Sequence, residues 1–202
     1  DLLQLPDGSI LCIIADVMGK GLPAALLATM LRTNLRVIAD SGETDPGAIV
    51  TRINRLMTPD LLQLEMFITI ACVWISPGRD IIRYANAGHN APLLQSAESP
   101  ADIAELPGGG PPAGIFPDTS YSTAEVAFAP GARLLLVTDG LAEATAADGR
   151  LFETDRVKDA LRGTARLGSR ESLDILLDEV AKFTSGADPA DAQTAIILKR
   201  TT

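Results

Sequence analysis

The stretch DVMGKG at residues 16–21 decides how this chain is organised. It follows an unbroken apolar run, residues 10–15, and precedes apolar residues at helical spacing that begin at Leu22. The run predicts a strand buried on both faces, so Asp16 stands at the exit of a rigid element. Gly19 and Gly21 loosen the turn that follows. A carboxylate there suits a metal ligand or a phosphate-handling loop, although a plain turn that starts with Asp is an equally good interpretation.

Two further carboxylates occupy similar positions. Asp139 follows the apolar run 133–137, and Asp191 comes just before a predicted final strand. Each residue alone fits a turn or a helix cap, but all three flank strongly apolar strands in the same way. Like-charge repulsion opposes bringing three carboxylates together, and divalent cations remove that cost. Oxygen ligands favour Mg²⁺ or Mn²⁺ over zinc, and two such ions about 3.5–4 Å apart would activate a water and hold phosphate oxygens.

Composition excludes several function classes. The 202 residues carry a net charge of −9, with no basic stripe, so nucleic acid is not an expected partner. No apolar run reaches membrane-spanning length, and no signal peptide is visible, so we expect a cytoplasmic domain without membrane contact. Cys12 and Cys72 lie in apolar runs and are predicted to be buried thiols, with no metal-ligand spacing to His89.

The pattern of the whole chain predicts one α+β domain over residues 1–202, with helices covering packed antiparallel sheets. A Pro-Asp-Gly turn at residues 6–8 follows only five residues, so we expect the first strand to be truncated and to continue in a longer parent chain. Residues 121–128 and 133–138 are predicted to form a hairpin, and residues 96–118 a loop. The other predicted strands are 9–15, 65–75, 80–85, 91–95 and 194–199, and the predicted helices are 22–39, 46–62, 153–161 and 170–183.

Six stretches of the chain together resemble one family. They are DVMGKGLPAALL at 16–27, MFITI at 66–70, ANAGHNAPLL at 85–94, GPPAGIFPD at 110–118, LLLVTDGLAEA at 134–144 and DAQT at 191–194. In this order they resemble the metal-dependent protein phosphatases of type 2C, in the bacterial branch of sporulation protein E and the stress-sigma-factor regulators. The resemblance implies two packed antiparallel β-sheets with helices on both outer faces. It also implies hydrolysis of phosphoserine or phosphothreonine by a metal-activated water.

The resemblance also assigns the metal ligands and the catalytic residues. Asp16 resembles the carboxylate that bridges two Mn²⁺ or Mg²⁺ ions, and the backbone carbonyl of Val17 resembles a further ligand. Asp139 and Asp191 resemble the remaining acidic ligands. These three aspartates are therefore the predicted catalytic set.

The chain departs from the family pattern at three places. The family's early acidic ligand lies a few residues upstream of the position that Asp1 matches, so we expect it to be absent here. Ala192 stands where many relatives carry a second Asp, which gives Asp188 a supporting role. Met18 stands where eukaryotic relatives carry a histidine proposed as general acid, so the leaving oxygen is expected to be protonated by a metal-bound water, or less efficiently.

Other polar residues near these motifs receive supporting or structural roles. Gly19 and Lys20 are supporting candidates, and Lys20 could approach a phosphate, although a solvated turn lysine is the simpler interpretation. Glu143 is interpreted as a residue that caps or supports the site rather than as a ligand. His89, the only histidine, is interpreted as structural, with its ring satisfying backbone groups of the turn 86–90.

Three functions are consistent with these motifs to different degrees. The first is a serine/threonine phosphatase acting on a phosphorylated regulatory protein, by resemblance an anti-anti-sigma factor, under an upstream sensor domain. The second is a weak pseudophosphatase that binds partners in sigma-factor regulation, which the missing upstream ligand favours and the three aspartates disfavour. The third is a kinase-like ATP-binding domain, which would need an Asn-bearing helix upstream and a second glycine-rich lid that the sequence lacks.

Overall fold

The computed structural model describes residues 1–76, 78, 80–187, 189 and 191–201. The chain forms two compact units, the first from residues 1–91 and 107–128 and the second from residues 92–106 and 129–202. Within the described residues each unit holds one antiparallel sheet and at least two helices. The predicted α+β class with two antiparallel sheets is therefore confirmed.

The described elements follow in chain order. The strands are β1 Leu2–Gln4, β2 Ile10–Val17, β3 Ile68–Ile75, β4 Ile81–Ala87, β5 Leu93–Gln95, β6 Ile103–Glu105, β7 Ala124–Ala127, β8 Arg133–Val137 and β9 Ala195–Lys199. The helices are α1 Leu22–Asp40, α2 Pro46–Gln63, α3 Asp139–Ala142, α4 Glu153–Gly163 and α5 Ser169–Phe183. The sheet of the first unit has the order β1-β2-β3-β4-β7, and that of the second has the order β6-β5-β8-β9.

The first unit is built on β2 and the two early helices. The four residues 11–14 of β2 are buried, as their unbroken apolar run predicts. Helix α1 has Pro23 in its first turn, where no amide donor is lost, and buries the predicted stripe of Leu27, Leu31, Leu35 and Ile38. Helix α2 begins at an Asp45 cap that accepts a hydrogen bond from the Ala48 amide at 2.8 Å. Both cysteines are free and buried, as predicted.

The second unit is organised around β8, whose five residues are all buried. Its first residue, Arg133, is 1% exposed and donates to the Gln95 side chain, to the Leu161 and Thr164 carbonyls and to the Ser172 hydroxyl. These bonds connect β8 to β5, to α4 and the residue after it, and to α5. Hydrogen-bond acceptors on every side offset the cost of burying a cation.

Two predictions about local structure are wrong, and one helix was missed. The segments 121–128 and 133–138 do not form a hairpin, because β7 pairs with β4 and β8 pairs with β5 and β9. The burial explains the separation: β7 is mostly exposed and suits a sheet edge, whereas the fully buried β8 suits a sheet centre. The predicted loop 96–118 contains β6, and α3 was not predicted.

The N-terminal hairpin has both of its strands. The turn at residues 5–8 joins β1 to β2, with the Gly8 amide donating to the Leu5 carbonyl at 2.9 Å. Asp1 pairs with Arg32 at 2.9 Å and with Arg36 at 3.3 Å. Across the described ranges, no helix is long and apolar enough to cross a membrane.

Candidate metal centre

In the first unit, the predicted carboxylate of Asp16 lies near the end of β2. Asp16 pairs with Thr69 of β3 in the antiparallel ladder, and the Met18 amide just beyond the strand donates to the Phe67 carbonyl at 2.9 Å. Asp16 is half-buried. A long ladder on a buried strand therefore fixes the backbone that carries this carboxylate.

The turn after Asp16 depends on two glycines in left-handed conformations. Gly19 has φ +89°, and a Cβ there would lie 3.3 Å from the Met66 methyl; Gly21 has φ +81° with open space around it. Such φ values favour glycine, which explains the GxG spacing. Lys20 between them is exposed, as a solvated turn lysine would be. Val17 ends β2, and its role as a carbonyl ligand stays a prediction.

His89 is held by polar contacts within the first unit. Its ring Nδ1 lies 2.8 Å from the Thr69 hydroxyl, and Thr69 is the ladder partner of Asp16. The side chain of Asn86 accepts from the His89 amide at 2.8 Å and donates to the His89 carbonyl at 2.9 Å. The Asn86 side chain thus satisfies the backbone of His89, and the ring joins this turn to β3.

In the second unit, the predicted carboxylate of Asp139 begins α3 directly after β8. Thr138 stands before it in an extended conformation, and the Glu143 amide donates to the Asp139 carbonyl at 2.8 Å at the other end of this one-turn helix. Asp139 is half-buried. An acidic residue in the first turn of a helix is stabilised by the exposed amides there.

Thr138 fastens the segment that carries the third carboxylate. Its hydroxyl donates to the Ala192 carbonyl at 2.8 Å and accepts from the Thr194 amide at 3.0 Å, while its amide donates to the Thr194 carbonyl at 3.0 Å. Gly140 packs against the same segment so closely that a Cβ would lie 2.4 Å from the Ala192 carbonyl oxygen. Asp191 is therefore held beside the start of α3.

The two carboxylates of the second unit form an acidic pair. Carboxylate oxygens of Asp139 and Asp191 lie within 4.8 Å of each other. Asp191 is exposed and accepts from the Ala192 amide at 2.7 Å. Within the described part of the chain, the buried Oδ1 of Asp139 has no hydrogen-bond partner. Because buried polar atoms almost always have a partner, an oxygen left bare beside a second carboxylate fits a hard divalent cation.

The structure describes one of the two predicted supporting carboxylates, Glu143, but not Asp188, which lies outside the described residues. Glu143 is exposed; its amide caps α3, and its carbonyl accepts from the Thr145 hydroxyl at 2.9 Å. Sequence reasoning missed Thr138, Thr69 and Asn86 as residues that position the site. The only available signal was their place inside the motifs TDG, MFITI and ANAGHN.

Comparison with known proteins identifies the class. The structure superposes on the SiaA-PP2C domain of Pseudomonas aeruginosa. The TM-score is 0.86 at 25% identity, over 98% of this chain and 78% of that one. The fold is thus that of PP2C phosphatases, and the kinase-like interpretation is wrong.

Sequence similarity identifies the family. Residues 6–201 match the stage II sporulation protein E (SpoIIE) family, and the chain belongs to it. The chain is 28% identical over 228 residues to Protein IcfG of Synechocystis sp., covering 99% of this chain and 35% of IcfG. It is 29% identical over 145 residues to the phosphoserine phosphatase RsbU of Bacillus subtilis, covering 72% of this chain and 42% of RsbU.

The similarity covers only part of each curated relative. The chain spans about a third to two-fifths of the length of the curated relatives that it matches (33–42%). Phosphatases of this family normally use Mg²⁺ or Mn²⁺, and the acidic pair offers the oxygen ligands that such ions prefer.

Proposed function

We propose that this chain is a Mg²⁺- or Mn²⁺-dependent protein serine/threonine phosphatase. The observation that carries the proposal is the buried Oδ1 of Asp139, which has no hydrogen-bond partner among the described residues and lies beside the carboxylate of Asp191. Leaving such an oxygen bare costs about 1–3 kcal/mol, more for a charged group. Binding of a cation to this oxygen would offset that free-energy cost.

The ligands proposed for the ions are Asp139 and Asp191 from the second unit and Asp16 with the Val17 carbonyl from the first. Divalent ions in such a set lower the pKa of bound water and neutralise phosphate charge. The chain's own contribution is to hold the carboxylates still. The β2–β3 ladder does so for Asp16, and the hydrogen bonds of Thr138 do so for the segment that begins at Asp191.

The proposed substrate is a phosphoserine- or phosphothreonine-bearing regulatory protein of the anti-anti-sigma type. RsbU is named a phosphoserine phosphatase, and it aligns with 72% of this chain. A net charge of −9 disfavours polyanionic substrates that lack a metal counterion. Regulation by a sensor domain and a cytoplasmic location belong to the same proposal for the full-length protein.

Hydrolysis of a phosphoserine peptide with and without Mn²⁺ tests this function. We expect phosphate release that requires Mn²⁺ or Mg²⁺ and stops on chelation. An Asp60→Ala control removes an exposed carboxylate of α2 and should keep the wild-type rate. Metal binding without turnover of any phosphoprotein would replace the proposal with the pseudophosphatase alternative, and much faster hydrolysis of a free metabolite would refute the protein substrate.

A further inference from the structure

A groove in the second unit opens beside the acidic pair. It encloses about 330 Å³. The residues that line its floor are buried and those at its mouth are exposed. The floor residues are Gly140, Ala144 and Thr184, and the mouth residues are Glu143, Leu151 and Asp191. Because Asp191 belongs both to this groove and to the acidic pair, an occupant of the groove would lie next to the proposed metal site.

One wall of the groove is a short hairpin with its own hydrogen bonds. The Phe152 amide donates to the Ala144 carbonyl at 2.9 Å, and the Ala146 amide donates to the Arg150 carbonyl at 2.8 Å. Gly149 closes the turn at φ +85°. The hairpin therefore presents Leu151, which is 44% exposed, on a wall that is formed before any ligand arrives.

The lining combines an aliphatic surface with a negative charge. Leu151, Ala144 and Ala187 supply the aliphatic part. Among the described residues, the Glu143 carboxylate forms no hydrogen bond or ion pair. A side chain with an apolar stem and a cationic head matches both features, because lysine and arginine lay their methylenes along apolar surface and keep the charge at a polar rim.

We propose that the groove receives a lysine or arginine side chain of the phosphoprotein substrate, and that Glu143 determines this specificity. The inference rests on the proposed function, since it places the groove beside the reacting phosphate. Because the groove and the acidic pair share Asp191, and an extended peptide advances about 3.3 Å per residue, the basic residue is expected close to the phosphoserine in the substrate sequence.

A peptide series separates the contribution of the lysine charge from that of its aliphatic side chain. Each phosphoserine peptide carries lysine, norleucine, alanine or glutamate at one flanking position, and kcat/KM is measured with Mn²⁺. We expect lysine to exceed norleucine by about fivefold, the size of a modest ion pair, and norleucine to exceed alanine. Equal kcat/KM for lysine and norleucine at every position would overturn the inference while leaving the phosphatase proposal intact.

Variants assign the preference to named residues. In Glu143→Gln the lysine-to-norleucine ratio should fall to about one, and in Glu143→Lys the glutamate peptide should become the better substrate. Leu151→Ala should lower the norleucine-to-alanine ratio, and Glu171→Gln, an exposed carboxylate of α5, should change neither ratio. A lysine preference that survives Glu143→Gln refutes the assignment, and absence of metal-dependent hydrolysis of every peptide by the wild type refutes the proposed function and this inference together.

Discussion

The chain leaves β2 and β8 through turns that contain the same residue types but are built differently. Each combines a largely buried strand with an aspartate at or just beyond its end, followed by a glycine and a helix. At β2 the aspartate is still inside the strand ladder, and the following turn is open, with Lys20 exposed and nothing near Gly21. At β8 the aspartate begins the helix itself, and Gly140 is pressed against a distant segment of the chain.

The difference teaches that the same residue types serve different purposes. Gly19 and Gly21 are needed for backbone conformation, since both have positive φ. Gly140 is needed for space, because its hydrogen faces the Ala192 carbonyl. The β2 exit is therefore a locally encoded turn, whereas the β8 exit works only when residues 191–194 dock on it.

The largest expected effect is on activity. Asp16→Ala should lower Mn²⁺-dependent kcat/KM roughly a thousandfold, because it removes a ligand of ions that contribute several kcal/mol. The fold should survive, since a half-buried alanine keeps the β2–β3 ladder. Phosphate release and circular dichroism measure the two outcomes, with Asp60→Ala as the control. Near-normal turnover in Asp16→Ala would refute the assignment of Asp16 as a metal ligand.

Gly140→Ala tests the docked exit. A methyl group 2.4 Å from the Ala192 oxygen must displace residues 191–194 or α3, and overpacking of this kind costs about 3 kcal/mol. Urea denaturation measures the loss. Gly163→Ala, at the end of α4 with nothing within 4 Å, is the matched control and should be neutral or stabilising. Equal stability of the two variants would mean that the β8 exit is as open as the β2 exit.

Thr138→Val should weaken the same docking without adding volume. The change leaves the Ala192 carbonyl and the Thr194 amide without the Thr138 hydroxyl, at a cost of about 2 kcal/mol. Thr138→Ser keeps the hydroxyl and should lose much less. Denaturation of both variants gives the comparison, and a valine variant as stable as the wild type would show that the hydroxyl does not hold this segment.

Gly21→Ala gives the smallest effect and completes the contrast. Open space surrounds Gly21, so only its backbone conformation, φ +81° and ψ −156°, opposes a side chain, at about 1 kcal/mol. Gly168→Ala is the control, since its φ of −71° suits any residue. A loss as large as that of Gly140→Ala would contradict the view that this turn is sterically open.

The parts of the molecule that were predictable are those encoded locally. Helix α1 could be predicted because Pro23 and the apolar stripe lie within one stretch, and β2 because its apolar run is unbroken. The hairpin of residues 121–128 with 133–138 was wrong because adjacency in sequence does not decide which strands pair. That choice depends on burial and on partners such as β4 and β9, which lie 40 or more residues away from β7 and β8.

The candidate site shows the same limit. The three aspartates could be singled out from their place at strand exits and from the family motifs. The role of Thr138 could not, because its hydroxyl bonds to Ala192, which is 54 residues further along the chain. The burial of the Asp139 Oδ1, which has no hydrogen-bond partner among the described residues, is likewise a property of the folded chain that a motif does not record.

The central proposal is that Asp16 and Asp139 are both ligands of divalent ions. Calorimetric titration of Mn²⁺ into the wild type, Asp16→Ala and Asp139→Ala tests it most directly, with Asp60→Ala as the control. The account predicts that both site variants bind Mn²⁺ at least about tenfold more weakly than the wild type, because each variant loses one carboxylate ligand. Wild-type Mn²⁺ affinity and stoichiometry in either site variant would contradict it.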